Sequence, residues 1–167
     1  MQSLQNLTRL KSIKLLANDM ETIHLLSAII QDGITCKTWL LLEKQTFKVL
    51  INRVCWENPR EEIDGEVYIA RLHSVLSIHN VIKVSTRNVK KDKLNFFSIL
   101  SISCIQDEVK NLKKIIFTLS QGVIYITVKD FSVTMKDVST YWLTSQEPQH
   151  DFISKKTKNK FSLKKEI

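Results

Sequence analysis

A chain of 167 residues suits one domain and is long enough to bury a core without disulfide or metal staples. Apolar residues make up 43% and charged residues 25%, an ordinary globular composition that excludes a wholly disordered chain. With 3 glycines and 2 prolines, collagen-like and linker-like chains are excluded, and Gly33, Gly65 and Gly122 lie too far apart for a phosphate-cradling loop.

The net charge of +8 is uneven. Residues 154–167 hold six lysines against Glu166, a local +5 that leaves +3 for the rest. Such a tail is either a solvated terminus or an electrostatic footprint for nucleic acid or an anionic membrane, with Lys155, Lys156, Lys158 and Lys160 at its centre. The three cysteines are widely spaced without a C-x-x-C pair, which reads as free thiols in a reducing compartment. No leader-like apolar stretch opens the chain, and no apolar run reaches the ~20 residues of a membrane span. The expectation is a cytoplasmic protein with no transmembrane segment.

In chain order, residues 1–11 read as a polar lead-in and residues 12–17 as a short strand. Asn18 is the expected cap of a helix over residues 19–32, with Glu21 three residues on and Met20, Ile23 and Ile30 at helical spacing. Gly33 stands where a left-handed terminator is expected. Residues 36–43 and 46–56 read as strands joined by a hairpin at Lys44-Gln45. Phe47, Val49 and Ile51 share one parity, but Val54 and Trp56 take the other, which predicts a β-bulge near Asn52-Arg53.

Residues 57–65 read as a charged loop, 67–79 as a long strand broken at Asn80, 81–86 as a further strand and 88–93 as a basic turn. Residues 96–105 are apolar on both parities, as a strand covered on both faces is. Gln121-Gly122 marks a hairpin between 114–120 and 123–129. Parity switches near Asp130, so the last sheet segment is expected to bend, and 139–142 makes a terminal contact. The sum is an α+β fold: a curled antiparallel sheet or half-open barrel of about seven strands, with one N-terminal helix packed on it. Short connections make neighbours antiparallel. The expected domain runs from 12 to 151.

Several stretches carry a resemblance: L-L-S-A-I-I-Q-D-G-I at 25–34, W-L-L-L-E-K-Q-T-F-K-V-L-I-N-R-V-C-W-E at 39–57, R-L-H-S-V-L-S-I-H-N-V-I-K-V-S-T-R at 71–87, S-I-L-S-I-S at 98–103 and W-L-T-S-Q-E-P-Q-H-D at 142–151. In these the chain resembles a DUF2948-like family of uncharacterised small alphaproteobacterial proteins. The resemblance covers residues 12–151, implies a bacterial cytoplasmic protein and assigns no activity.

His73 and His79 share a strand face but stand ~20 Å apart along it, too far to share a metal. No Cys/His pair has ligand spacing, so neither a metal nor another cofactor is expected. Cys55 and Cys104 read as small core residues, and Cys36 as the exposed thiol. Glu57, Glu61, Glu62, Asp64 and Glu66 read as a solvated acidic loop around Arg60. Trp56 is the best exposed aromatic, and Arg53, Arg71, His73 and Arg87 are candidates for one polar, positive sheet face. Three functions fit. The first is a non-enzymatic module binding a protein or peptide, for example by strand addition at a sheet edge. The second is RNA binding through the lysine tail with Arg53, Arg71 and Lys83. The third is a small hydrolase with His73 or His79 as base.

Overall fold

The computed structural model describes residues 12–58, 60–89, 96–130 and 132–146. The lead-in 1–11, the lysines of the 88–93 turn and the tail 154–167 lie outside these residues. The described chain is one α-helix and twelve strands in an antiparallel sheet. The strands are β1 (Lys14–Ala17), β2 (Ile34–Cys36), β3 (Leu40–Glu43), β4 (Thr46–Val54), β5 (Glu61–Ile63), β6 (Glu66–Ile78), β7 (Val81–Arg87), β8 (Phe96–Asp107), β9 (Leu112–Leu119), β10 (Gly122–Val128), β11 (Val133–Asp137) and β12 (Trp142–Thr144). The main order is β1-β11-β6-β4-β2-β8-β9-β10-β7, with β3 on β4, and β5 and β12 on β6. β1 and β7, at the two ends of this path, do not pair with each other, so among the described residues the sheet is not closed into a barrel.

Twelve strands replace the expected seven because short ones hide in polar sequence. The charged loop contains β5, which pairs with the start of β6 through an Asp64-Gly65 turn. Both turn residues have positive φ (54° and 79°), which matches the twist of a tight hairpin. The expected strand 36–43 is split by a 3-10 turn, Lys37–Trp39, into β2 and β3. The terminal contact is β12, which pairs Trp142 with Arg71.

The helix α1 (Met20–Ile30) is capped by Asp19 rather than Asn18. The Asp19 carboxylate accepts the Thr22 N–H at 2.8 Å and the Thr22 hydroxyl. These bonds hold the carboxyl below its ordinary pKa. Ile23, Leu26 and Ile30 form its buried stripe, packed against β8, β1 and β4. Gly33 is not the left-handed terminator. Asp32 takes that conformation (φ 60°), and Gly33 serves close approach instead. A Cβ there would lie 2.6 Å from Ile51 Cγ2 and 2.8 Å from the Ile30 oxygen.

The β4–β6 ladder runs without a shift from Phe47↔Ile78 to Val54↔Arg71, so the expected bulge at Asn52-Arg53 is absent. The parity pattern misled because Arg53, a charge, continues the inward row of Phe47, Val49 and Ile51, while Val54 is covered on the other face. The β10–β7 ladder shifts register between Thr127 and Val128, and a bulge lies in β8, between Ile99 and Ser101. The β8 bulge moves the inward row from Phe97 and Ile99 to Ile102 and Cys104, and the freed Ile102 N–H donates to Ser27 Oγ of the helix at 3.0 Å. β8 is therefore apolar on both parities by a phase shift, not by cover on both sides, and Phe96, Leu100 and Ile105 are exposed. The expected bend near Asp130 is a break between β10 and β11.

We expect Gly33→Ala to lower stability by about 1–3 kcal/mol, since both clashing neighbours belong to the packed core. A thermal melt reads this as a fall of several degrees, and an unchanged melting temperature contradicts the close-approach account.

Candidate functional site

Paired residues in an antiparallel ladder point to the same side of the sheet. Ile51↔Ser74 and Ser74↔Asp137 place Ser74 and Asp137 on the inward face, together with Arg53 opposite Leu72. Arg53 is fully buried, at 0% exposure. Its Nε donates to Ser74 Oγ at 3.0 Å and to Asp137 Oδ1 at 3.2 Å, and one Nη donates to Asp137 Oδ2 at 2.9 Å. The two Nη groups also grip the Glu57 carboxylate at 2.8 and 3.0 Å, and one donates to the Val54 carbonyl. Ser74 Oγ donates to Asp137 at 2.6 Å, and the Ile13 N–H reaches Asp137 at 2.8 Å. Burial opposes the guanidinium charge, but the two carboxylates outweigh it and hold Arg53 firmly protonated. Burial likewise pushes the Asp137 carboxyl up, yet hydrogen bonds from Arg53, Ser74 and Ile13 overcome it and keep the group below its usual range. This is an internal tie between strands, closed to ligands.

On the outward side of the same ladder, Asn52↔His73 and Arg71↔Trp142 are neighbouring rows. The His73 ring lies between two indoles: Trp142 at 5.0 Å, tilted 46°, and Trp39 edge-on at 5.8 Å. Trp39 meets Phe96 edge-on at 5.9 Å. The result is a row of four rings, Trp142–His73–Trp39–Phe96, whose two ends are open to solvent at 36% and 57% exposure. Edge-to-face contact aligns positive ring edges with negative faces and stiffens the row. Arg71 lies beside it, only 6% exposed. Its Nε donates to Asn52 Oδ1 at 2.9 Å and an Nη to the Asn52 carbonyl at 3.0 Å. Burial lowers the Arg71 pKa, partly offset by the Asp32 carboxylate.

The four candidates for one positive face are therefore divided. Arg71 and His73 share the outward face, Arg53 is on the opposite face, and Arg87 stands exposed on β7 at the far end of the sheet. Trp56 is half exposed and donates its indole N–H to the Gln31 carbonyl at 3.1 Å, tying the β4–β5 connection to the helix end. Lys155, Lys156, Lys158 and Lys160 lie outside the described residues. The sequence offers Trp39 and Trp142, with Trp56, as stacking platforms or as core and rim residues, but it does not join Phe96 to them. The meeting of Trp39, Phe96 and Trp142 depends on the β2–β8 and β6–β12 pairings, which no local pattern announces.

All three cysteines are buried, which corrects the expectation that Cys36 is exposed. Burial pushes the Cys55 thiol up to about 11 and raises that of Cys104. Among the described residues no three His, Cys, Asp or Glu side chains converge as a metal site, and no helix is long and apolar enough to cross a membrane. A cavity of about 310 Å³ lies at the turns between β6 and β7 and between β10 and β11, lined by Gln45, Asn80, Val81, Ile82, Lys129 and Asp130. The Val81 N–H donates to the Gln45 carbonyl of the β3–β4 turn and Asn80 Nδ2 to the Asp130 carbonyl, so part of its polar lining holds three turns together.

Replacing Arg53 by Met leaves Asp137 buried without its partner, and we expect a loss of about 3–5 kcal/mol in denaturant unfolding. Because the folded-state pKa of Asp137 is depressed, its contribution is complete above the unfolded carboxylate value of about 4 and disappears as pH falls below it. Asp137→Asn should thus be less stable at pH 7 and lose less on acidification than the wild type. Parallel acid limbs in urea titrations from pH 7 to pH 2 would contradict this assignment.

No curated protein and no solved structure matches the chain. A family described as a protein of unknown function, DUF2948, matches residues 13–150, a span that takes in the helix and all twelve strands. The chain belongs to the DUF2948 family.

Proposed function

We propose that the chain is a non-enzymatic binding module whose folded unit is residues 12–151 and whose working surface is the four-ring row on the outward sheet face. The observation carrying this reading is the row itself: Trp142 and Phe96 hold large apolar surface in water, although both belong to regular strands. Exposed aromatic clusters on a rigid scaffold mark interaction sites, and Trp is among the strongest interface anchors. A protein or peptide partner suits the site, because it can cover Trp142 and Phe96 with apolar side chains while polar groups meet the solvated rim. Enzymatic chemistry has less support. The His73 ring packs among indoles, and His79 meets the Thr46 and Thr134 hydroxyls at 3.4 Å, long for catalytic hydrogen bonds. Three buried free thiols suit a reducing bacterial cytoplasm.

Quantitative co-purification tests the reading. The wild type should retain a protein in 1:1 ratio, and a Phe96→Ala/Trp142→Ala variant with an unchanged circular dichroism spectrum should lose it. Equal recovery by both proteins, recovery by neither, or a turnover abolished by His73→Ala would overturn the proposal.

A further inference from the structure

The second half of the sheet, β8-β9-β10-β7, also has an outward side, and its composition differs sharply from that of the aromatic row. The ladders set its rows. Arg87 pairs with Val123, Val123 with Thr118, and Thr118 with Ser101. Ser85, Tyr125, Ile116 and Ser103 form the next row, and Lys83, Thr127, Lys114 and Ile105 the third. These three rows hold three cations, a tyrosine and five hydroxyl side chains, and no carboxylate. Lys83, Arg87 and Lys114 are exposed, and none of them is in an ion pair with a described residue. Asp107 stands one row beyond Lys114, where its carboxylate accepts the Lys110 N–H at 3.2 Å. Acids gather elsewhere in the fold, as at Glu61, Glu62, Asp64 and Glu66 of the β5–β6 hairpin.

Strand spacing gives the scale. Lys83 and Lys114 stand two strands apart, about 10 Å between Cα atoms, and Lys83 and Arg87 four residues apart, about 13 Å. Tyr125 lies midway between Lys114 and Arg87, and the Lys114 ammonium sits 5.9 Å from its ring centre. We propose that this face binds single-stranded RNA. The cations suit successive phosphates, the hydroxyls can bond phosphate and ribose 2′-OH groups, and the half-buried Tyr125 ring offers one face on which a base stacks. Single hydroxyls, unlike bidentate Asn, Gln or Arg side chains, discriminate weakly between base edges, so the face recognises the strand more than its sequence. The surface is separate from the aromatic row, so loss of either reading leaves the other standing.

The test uses the full chain and a fluorescein-labelled 12-nucleotide oligouridylate in anisotropy titrations at several salt concentrations. Lys83→Glu/Lys114→Glu should weaken binding by about tenfold or more, and should reduce the slope of log K against log salt by about 1.4, the value for two phosphates on a single strand. The same loss should appear when Lys155, Lys156, Lys158 and Lys160 are first changed to Ala. Tyr125→Ala should weaken the single strand more than an RNA duplex of equal length. Binding unaltered by the double charge reversal, binding removed entirely by the tail substitutions, or a duplex bound as tightly as the single strand would each overturn the proposal.

Discussion

A guanidinium with no exposure to water can exist only where every part of its charge is answered, and Arg53 is answered from three directions. Asp137 approaches from β11, Ser74 from β6 and Glu57 from the connection after β4. Removing the charge from water costs several kcal/mol, and the paired geometry offsets this only when the strands sit in one register. A one-residue slip of β11 on β6 moves Asp137 to the other side of the sheet and leaves the cation unpaired. The tie therefore selects one alignment of β4, β6 and β11, and the Asp137 bond to the Ile13 N–H extends the selection to β1. The aromatic row stands on the reverse side of this same ladder, so its geometry inherits that alignment.

Which features could be read in the sequence follows from the range of the interactions behind them. The helix, the Lys44-Gln45 and Gln121-Gly122 hairpins and the break at Asn80 are local, and each residue pattern contained its own explanation. Errors arose where one residue type had two physical causes. Arg53 breaks the apolar alternation of β4 in sequence but continues it in space, so a buried ion pair looked like a bulge. In β8 a bulge at Leu100 put apolar residues on both parities and looked like a doubly covered strand. β5 was hidden because its Glu61 and Glu62 are strand residues by pairing, not by propensity.

The candidate site was legible by half. Strand parity alone puts Arg71 and His73 on one face, and that parity survives in the fold. It says nothing about Arg87, because relating β7 to β6 needs the whole path through β4, β2, β8, β9 and β10. Trp39 and Trp142 reach His73 through pairings of distant segments, while Phe96 reaches Trp39 at the start of β8. The divided character of the outward surface, aromatic on one half and cationic with hydroxyls on the other, is likewise a property of register.

The pairing of β1 with β11 has a consequence for how the chain is made. The Ile13 amide and the Asp137 carboxylate that joins it are 124 residues apart. At synthesis rates of about 5–20 residues per second, the N-terminal strand leaves the ribosome roughly 6–25 s before its partner does. Leu15, Leu16 and Ala17 must wait through that interval without their edge of the sheet, a period in which a nascent apolar strand is open to chaperones and to misplaced pairing.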